Sequence, residues 1–213
     1  IMTATLPTLY LEELKQRNVI NDDQIAIEEF IDTSVHRHRI SLRSEGIEEV
    51  IGEMLDLGET SQVLVIVNTV RQAMSLYDKF LDCDTQLPIY LLHSQFTQED
   101  RQLLEKHIKQ FDEDNERGIW ITTQLVEASI DIDFDYLFTE MSTLDSLFQR
   151  FGRCYRKRAL DHDNCNIHIF TENISGIPRV YNEHLVNESI RLLKPYDHQI
   201  VDERAKVEMV KQL

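Results

Sequence analysis

The amino-acid sequence predicts an α/β fold, a mostly parallel sheet flanked by helices on both faces, and two observations carry that expectation. Short runs of β-branched and aromatic residues alternate with longer amphipathic stretches whose charges fall on one side. The runs are apolar at nearly every position, which suits strands covered on both faces, as parallel strands joined by crossover helices are.

In chain order, residues 39–42 read as a strand and 48–57 as a helix closing near Gly58. Residues 63–67 form the next strand, followed by a helix over about 70–81. Residues 89–92 are a strand, 97–111 a helix, and 119–122 and 136–138 two further strands. A late strand over 166–170 and a late helix over 180–193 complete the pattern. Residues 196–213 are charged and helical in character. Their few apolar positions suggest a linker to a missing domain rather than part of a core.

With 213 residues, 42% of them hydrophobic, the chain can bury one sizeable core with appendages. Its 6 glycines and 4 prolines are scarce for that length, and no repeat or low-complexity stretch divides it. Lys and Arg number 22 against 38 Asp and Glu, for a net charge of −16. An acidic surface repels phosphate, so a free-standing nucleic-acid binder is disfavoured and any such contact must be local. Three cysteines, Cys83, Cys154 and Cys165, are too few and too irregularly spaced for a disulfide framework or a zinc site, and no metal site is expected. No run approaches a membrane span and no secretory leader is visible, which predicts a cytoplasmic protein without membrane partners.

Ligands of such sheets sit beyond the carboxyl ends of the strands. The turns to inspect are therefore Asn68 and Thr69, His93 and Ser94, Thr122 to Gln124, and the stretch 140–158. In that stretch Gln149, Arg150, Phe151, Gly152, Arg153, Cys154, Tyr155 and Arg156 place three arginines at every third position around one glycine. On a helix this spacing directs the guanidinium groups to one side. Such a set suits phosphate recognition and stabilisation of charge during phosphoryl transfer. An exposed basic helix end, extended by Lys157 and Arg158, gives the same pattern, but five basic residues in nine stand out against the acidic background. Residues 122–133 follow a strand with hydroxyls and amides that can hold a phosphate or a nucleic-acid backbone. There Asp131 and Asp133 can accept from a ribose or pair with Arg153, and ordinary caps and turns use the same residue types.

Together these two stretches resemble motifs V and VI of superfamily 2 helicases. The run from Thr122 to Arg156 looks most like the CRISPR-associated helicase-nuclease of type I systems. Val65 to Thr69 resembles motif IV, His93 to Arg101 the following family segment, and Thr3 to Pro7 motif III, all in one consistent order. The resemblance implies a RecA-like fold with three parts. Residues 1–34 would close a first motor domain and link it, 35–175 would be the second motor domain, and 176–213 a helical extension.

It further implies that Arg153 and Arg156 are arginine fingers reaching ATP on the other motor domain, with Gln149 assisting. Asp131 and Gly152 would meet the nucleotide, with Asp131 at its ribose. Asn68, Thr69, His93, Ser94, Arg101 and Thr123 would line the track of a single-stranded DNA. Arg150 is as well suited to an internal salt bridge with Glu127 or Asp133. ATP and Mg2+ would be held mainly by the first RecA-like domain, because this sequence has no glycine-rich phosphate loop and no acidic magnesium motif, so the chain by itself should not hydrolyse ATP. The implied partners are that first domain, single-stranded DNA and the type I CRISPR interference complex. Open alternatives are a superfamily 2 helicase of RNA or repair, a non-catalytic interaction module, and a small-molecule enzyme on the same sheet.

Overall fold

The computed structural model describes residues 16–17 and 34–213, so the motif III resemblance at residues 3–7 lies outside the described residues. Six strands form one sheet in the order β1-β6-β5-β2-β4-β3, and every pair is parallel. They are β1 (Ile40–Arg43), β2 (Gln62–Ile66), β3 (Ile89–Leu92), β4 (Gly118–Thr122), β5 (Tyr136–Glu140) and β6 (Ile167–Phe170). The helices between them are α1 (Ile51–Gly58), α2 (Val70–Leu81), α3 (Gln98–Glu113), α4 (Leu125–Ser129) and α5 (Leu144–Phe151), and α6 (Glu183–Leu193) and α7 (Glu203–Val210) follow β6.

Alternate strand residues feed two cores, one on each face. Val63, Val65, Ile119, Ile121, Phe138 and Phe170 meet Met54 of α1 and Ala73, Leu76 and Phe80 of α2. Leu64, Ile66, Trp120, Leu137, Ile167 and Ile169 meet Ile108 and Phe111 of α3, Leu147 and Phe151 of α5, and Leu192 of α6. This two-sided burial is why the strand sequences are continuously apolar. Gly118 opens β4 at φ 146°, where a Cβ would stand 2.5 Å from the Pro88 carbonyl oxygen. Only glycine allows β4 to run that close to the β3 approach.

Helix starts follow local hydrogen bonds. Thr69 caps α2 through Gln72 N at 3.2 Å, and Thr97 caps α3 through Asp100 N at 3.2 Å. The helix expected over 48–57 is divided: Ile47–Val50 is a 3-10 turn, and α1 begins only after Val50 leaves helical geometry at φ −109° and ψ 21°. The late helix starts at Glu183, where Asn182 accepts from His184 N and Leu185 N.

The last segment corrects an expectation. Residues 196–213 contribute to the core, because Val201, Ala205 and Met209 are buried and α7 packs on α5. Ahead of α7 the chain covers the outer edge of β1, with Ile40 N donating to Gln199 O at 3.1 Å and His198 N to Ile40 O at 2.9 Å. An edge strand left open would template unwanted pairing, and this segment closes it.

Candidate nucleotide and nucleic-acid interface

The interior of the site is organised by Arg150, which is fully buried on α5. Its Nε donates to Glu127 Oε1 at 2.8 Å, Nη1 to Thr139 Oγ1 at 2.8 Å and Glu140 O at 3.0 Å, and Nη2 to Asn68 Oδ1 and Tyr181 OH, both at 2.9 Å. All five guanidinium protons are thereby used. Of the two sequence candidates, Glu127 is the ion partner, and Ser146 Oγ also reaches that carboxylate at 2.9 Å. One side chain thus ties the segment after β4 to the turn after β2 and to α5. Arg150 therefore orders the site and has no donor left for a ligand.

Arg153 and Arg156 lie beyond the end of α5, in a turn rather than on its face. Gly152 terminates the helix at φ −64° and ψ 6°, its N donating to Phe148 O at 3.2 Å. The expectation that the three arginines share one helical side therefore fails, because only Arg150 is helical. The expected position fails as well. Helix α5 runs antiparallel to β5 and returns the chain to the amino end of the sheet, where Phe134 N donates to Arg153 O at 3.0 Å and Tyr155 N to Phe134 O at 3.2 Å. At about 3.3 Å per residue, the length of β5 separates this loop from the carboxyl edge by roughly 15 Å.

Arg153 is half-buried and held by backbone carbonyls, with Nε on Val126 O at 2.8 Å and Nη2 on Glu127 O at 2.7 Å. No carboxylate among the described residues lies within ion-pair distance of it. Burial, and next the Arg156 guanidinium, push its pKa below the usual arginine value, although a guanidinium stays charged in any protein setting. Arg156 is exposed and pairs with Asp131 at 3.0 Å, while its N–H and that of Lys157 donate to Asp133 at 2.6 and 3.1 Å. Asp131 and Asp133 thus serve this loop, and Asp133 makes no bond to Arg153. Tyr155 adopts φ 49°, a left-handed conformation that bulky residues rarely take and that marks a strained turn. Gln149 is exposed on α5, and its side chain makes no hydrogen bond to a described residue.

The carboxyl edge carries the other expected set. Asn68 is buried and spent: its N donates to Glu140 Oε2 at 2.6 Å, its Nδ2 to Met141 O and Ser175 O, and its Oδ1 accepts from Arg150. Its expected place on a nucleic-acid track is corrected to a structural one, because no polar group of the side chain faces outward. Thr69 caps α2 and donates to Ser175 Oγ at 3.2 Å. His93 is buried, stacks on Phe96 with centroids 4.3 Å apart, and accepts from Gln95 N at 3.2 Å. Ser94 is exposed in that turn, Thr123 is buried at the end of β4, and Arg101 on α3 makes only a loose 3.6 Å pair with Glu105.

Sequence reasoning missed Glu140, which is 1% exposed and also accepts from Ser175 N at 2.9 Å and Ser175 Oγ at 2.7 Å. A carboxylate closing an apolar strand was the visible signal. Among the described residues no group of three or more His, Cys, Asp or Glu side chains is placed to hold a metal, and no helix is long and apolar enough to cross a membrane.

The all-parallel sheet is RecA-like in fold and carries an arginine loop bonded to the helix after β4. The chain belongs to the CRISPR-associated nuclease/helicase Cas3 family, whose C-terminal family model matches residues 59–159. It is 35% identical over 226 aligned residues to the CRISPR-associated nuclease/helicase Cas3 of Methanothermobacter thermautotrophicus, covering 99% of this chain and 27% of that protein. A crystal structure of a CRISPR-associated protein superposes with a TM-score of 0.79 at 21% identity, over 98% of this chain and 28% of the other. The AMPPNP complex of T. fusca Cas3 gives 0.73 at 20% identity, over 88% and 24%. At those identities the structures establish the fold. The chain spans about a quarter of the length of the proteins it matches.

Proposed function

We propose that these residues form the half of an ATP-driven motor that senses the nucleotide, with Arg153 and Arg156 entering a cleft closed by a first motor domain. The carrying observation is the anchoring of Arg153. Two of its nitrogens are fixed to the Val126 and Glu127 carbonyls, no carboxylate among the described residues pairs with it directly, and a second guanidinium lies nearby. Two adjacent cations repel each other, and a polyphosphate relieves that repulsion, most strongly as charge spreads over the transferring phosphoryl group. The exposed Arg156–Asp131 pair is the kind that contributes little in water, so a phosphate can displace Asp131. The T. fusca structure with AMPPNP supports an adenine nucleotide as the ligand.

Magnesium accompanying ATP finds no ligand set among the described residues, and it would be held by the first domain. At the carboxyl edge, Thr69, Ser94 and Arg101 supply contacts to the sugar-phosphate backbone of one strand of DNA, which carry no sequence information, whereas Thr123 is buried beneath them. Family membership supports a CRISPR-associated helicase, and on this reading the track carries single-stranded DNA during type I interference, with recruitment by the interference complex.

The test is ATP hydrolysis, with and without single-stranded DNA, by a polypeptide carrying both motor domains. DNA-stimulated turnover that Arg153→Ala and Arg156→Ala abolish in folded protein is the expected result. Turnover unchanged in both variants would replace this reading with an interaction module.

A further inference from the structure

Lys206 and His38 belong to no motif, yet both are buried against the arginine loop. The loop is held on one side by the bridge to Phe134, which uses Arg153 O and Tyr155 N. In a parallel bridge the carbonyl of the intervening residue points the other way. That carbonyl, of Cys154, meets His38 Nε2 at 2.8 Å. A carbonyl only accepts, so His38 must carry its proton on Nε2. Its Nδ1 then accepts from the Lys206 ammonium at 3.1 Å, and Lys206 Nζ also donates to Glu203 Oε1 at 2.7 Å.

The order of these contacts matters. An ammonium has protons and no lone pair, so Lys206 can bond only the tautomer of His38 that donates to Cys154 O. The hydrogen bond at one imidazole nitrogen thus sets the state of the other. Phe151 confines both groups, its ring 5.4 Å from the imidazole centroid and 5.8 Å from Nζ. Burial and the Lys206 charge hold His38 neutral, as this arrangement requires. Lys206 lies on α7, so the last described helix reaches the loop that carries the two arginines.

We infer that Lys206 is a positioning residue which, through His38, fixes the Cys154 carbonyl and with it the reach of Arg153 and Arg156 toward the nucleotide. The inference rests on the arginine-finger reading proposed above. Lys206→Met fills the same volume without the charge. Removing one partner of an ion pair is costly chiefly when the charge left behind is buried, and Glu203 is exposed enough to be solvated alone. Activity and stability should therefore separate, which a purely structural role would not produce.

The experiment measures kcat and KM for ATP in a polypeptide carrying both motor domains, per folded molecule counted by circular dichroism, for Lys206→Met and Lys206→Arg, with Arg153→Ala alongside. The expected result for Lys206→Met is a kcat lowered roughly tenfold to a hundredfold, as for a small misplacement of a reacting group, with KM unchanged. Lys206→Arg, which keeps a cationic donor, should recover most of the loss. If Lys206→Met proves unstable, His38→Phe is measured in its place, since a phenyl ring neither donates to the Cys154 carbonyl nor accepts from Lys206, and it carries the same expectation. A wild-type kcat in whichever of these two variants is folded, while Arg153→Ala is inactive, overturns the inference and leaves the motor reading intact. An active Arg153→Ala overturns both.

Discussion

Arg150 Nε stands 2.8 Å from Glu127 Oε1, and this buried pair joins the segment after β4 to the helix that leads into the arginine loop. Taking both charges out of water offsets much of their attraction, so the pair is poor evidence for net stability. Breaking it is another matter. Arg150→Ala leaves Glu127, Asn68 and Thr139 without their donor, and the expected destabilisation is about 3–5 kcal/mol. For a domain of this size that lowers the melting temperature by roughly 10 °C or more. Calorimetry checks it, and a variant melting within a degree or two of the parent would show that Arg150 is not the organising group.

Glu140 holds the loop around Ser175 over the Asn68 turn by three hydrogen bonds. Glu140→Gln should replace an acceptor by an amide N–H₂ that faces other donors, at a cost of about 1–3 kcal/mol. Amide hydrogen exchange should then accelerate locally, in the Asn68 turn and around Ser175, and remain slow in β2 and β4. Uniform acceleration across the sheet would contradict this local role.

Acidification should destabilise the fold through its buried histidines. His168 is stacked on Phe138, and burial first, then Arg43, lower its pKa from 6.5 to about 4 against the opposing pull of Glu53. His38 is lowered well below the same reference. Above pH 6.5 both are neutral in the folded and unfolded states. As the pH falls toward 4 the unfolded chain takes up protons first, so stability is lost across that window by up to about 1.4 kcal/mol per pH unit for each histidine. Asp112, whose carboxyl is raised by burial, works in the opposite direction and only partly offsets the loss. Urea titrations between pH 7 and 4.5 should show the decline, and His168→Asn should flatten it. Stability that stays level or rises on acidification would contradict the assignment.

Much of this arrangement was legible in the sequence, for a physical reason. Strands buried on both faces need apolar residues throughout, so 63–67 and 119–122 identified themselves, and the charged face of α2 fixed its limits. The spacing in Gln149 to Arg156 located the arginines but not their surroundings. Spacing alone does not say that the helix ends at Phe151, nor that an antiparallel return places Arg153 at the amino edge of the sheet. Asn68 illustrates the same limit. Its position after β2 was read correctly, whereas its burial depends on Arg150 and Ser175, which are distant in sequence. Residues 196–213 looked too polar for a core because Val201, Ala205 and Met209 are dispersed among charges, and Lys206 is itself buried.

We propose that Arg153 acts on the nucleotide during phosphoryl transfer. The most direct measurement is kcat for ATP at saturating single-stranded DNA in a polypeptide carrying both motor domains, for wild type and Arg153→Ala, with AMPPNP affinity determined in parallel. A residue that acts mainly on the transition state predicts a fall in kcat of about 10³-fold or more with a much smaller change in AMPPNP binding. A kcat within about twofold of wild type, which corresponds to less than half a kcal/mol of barrier, would contradict the claim.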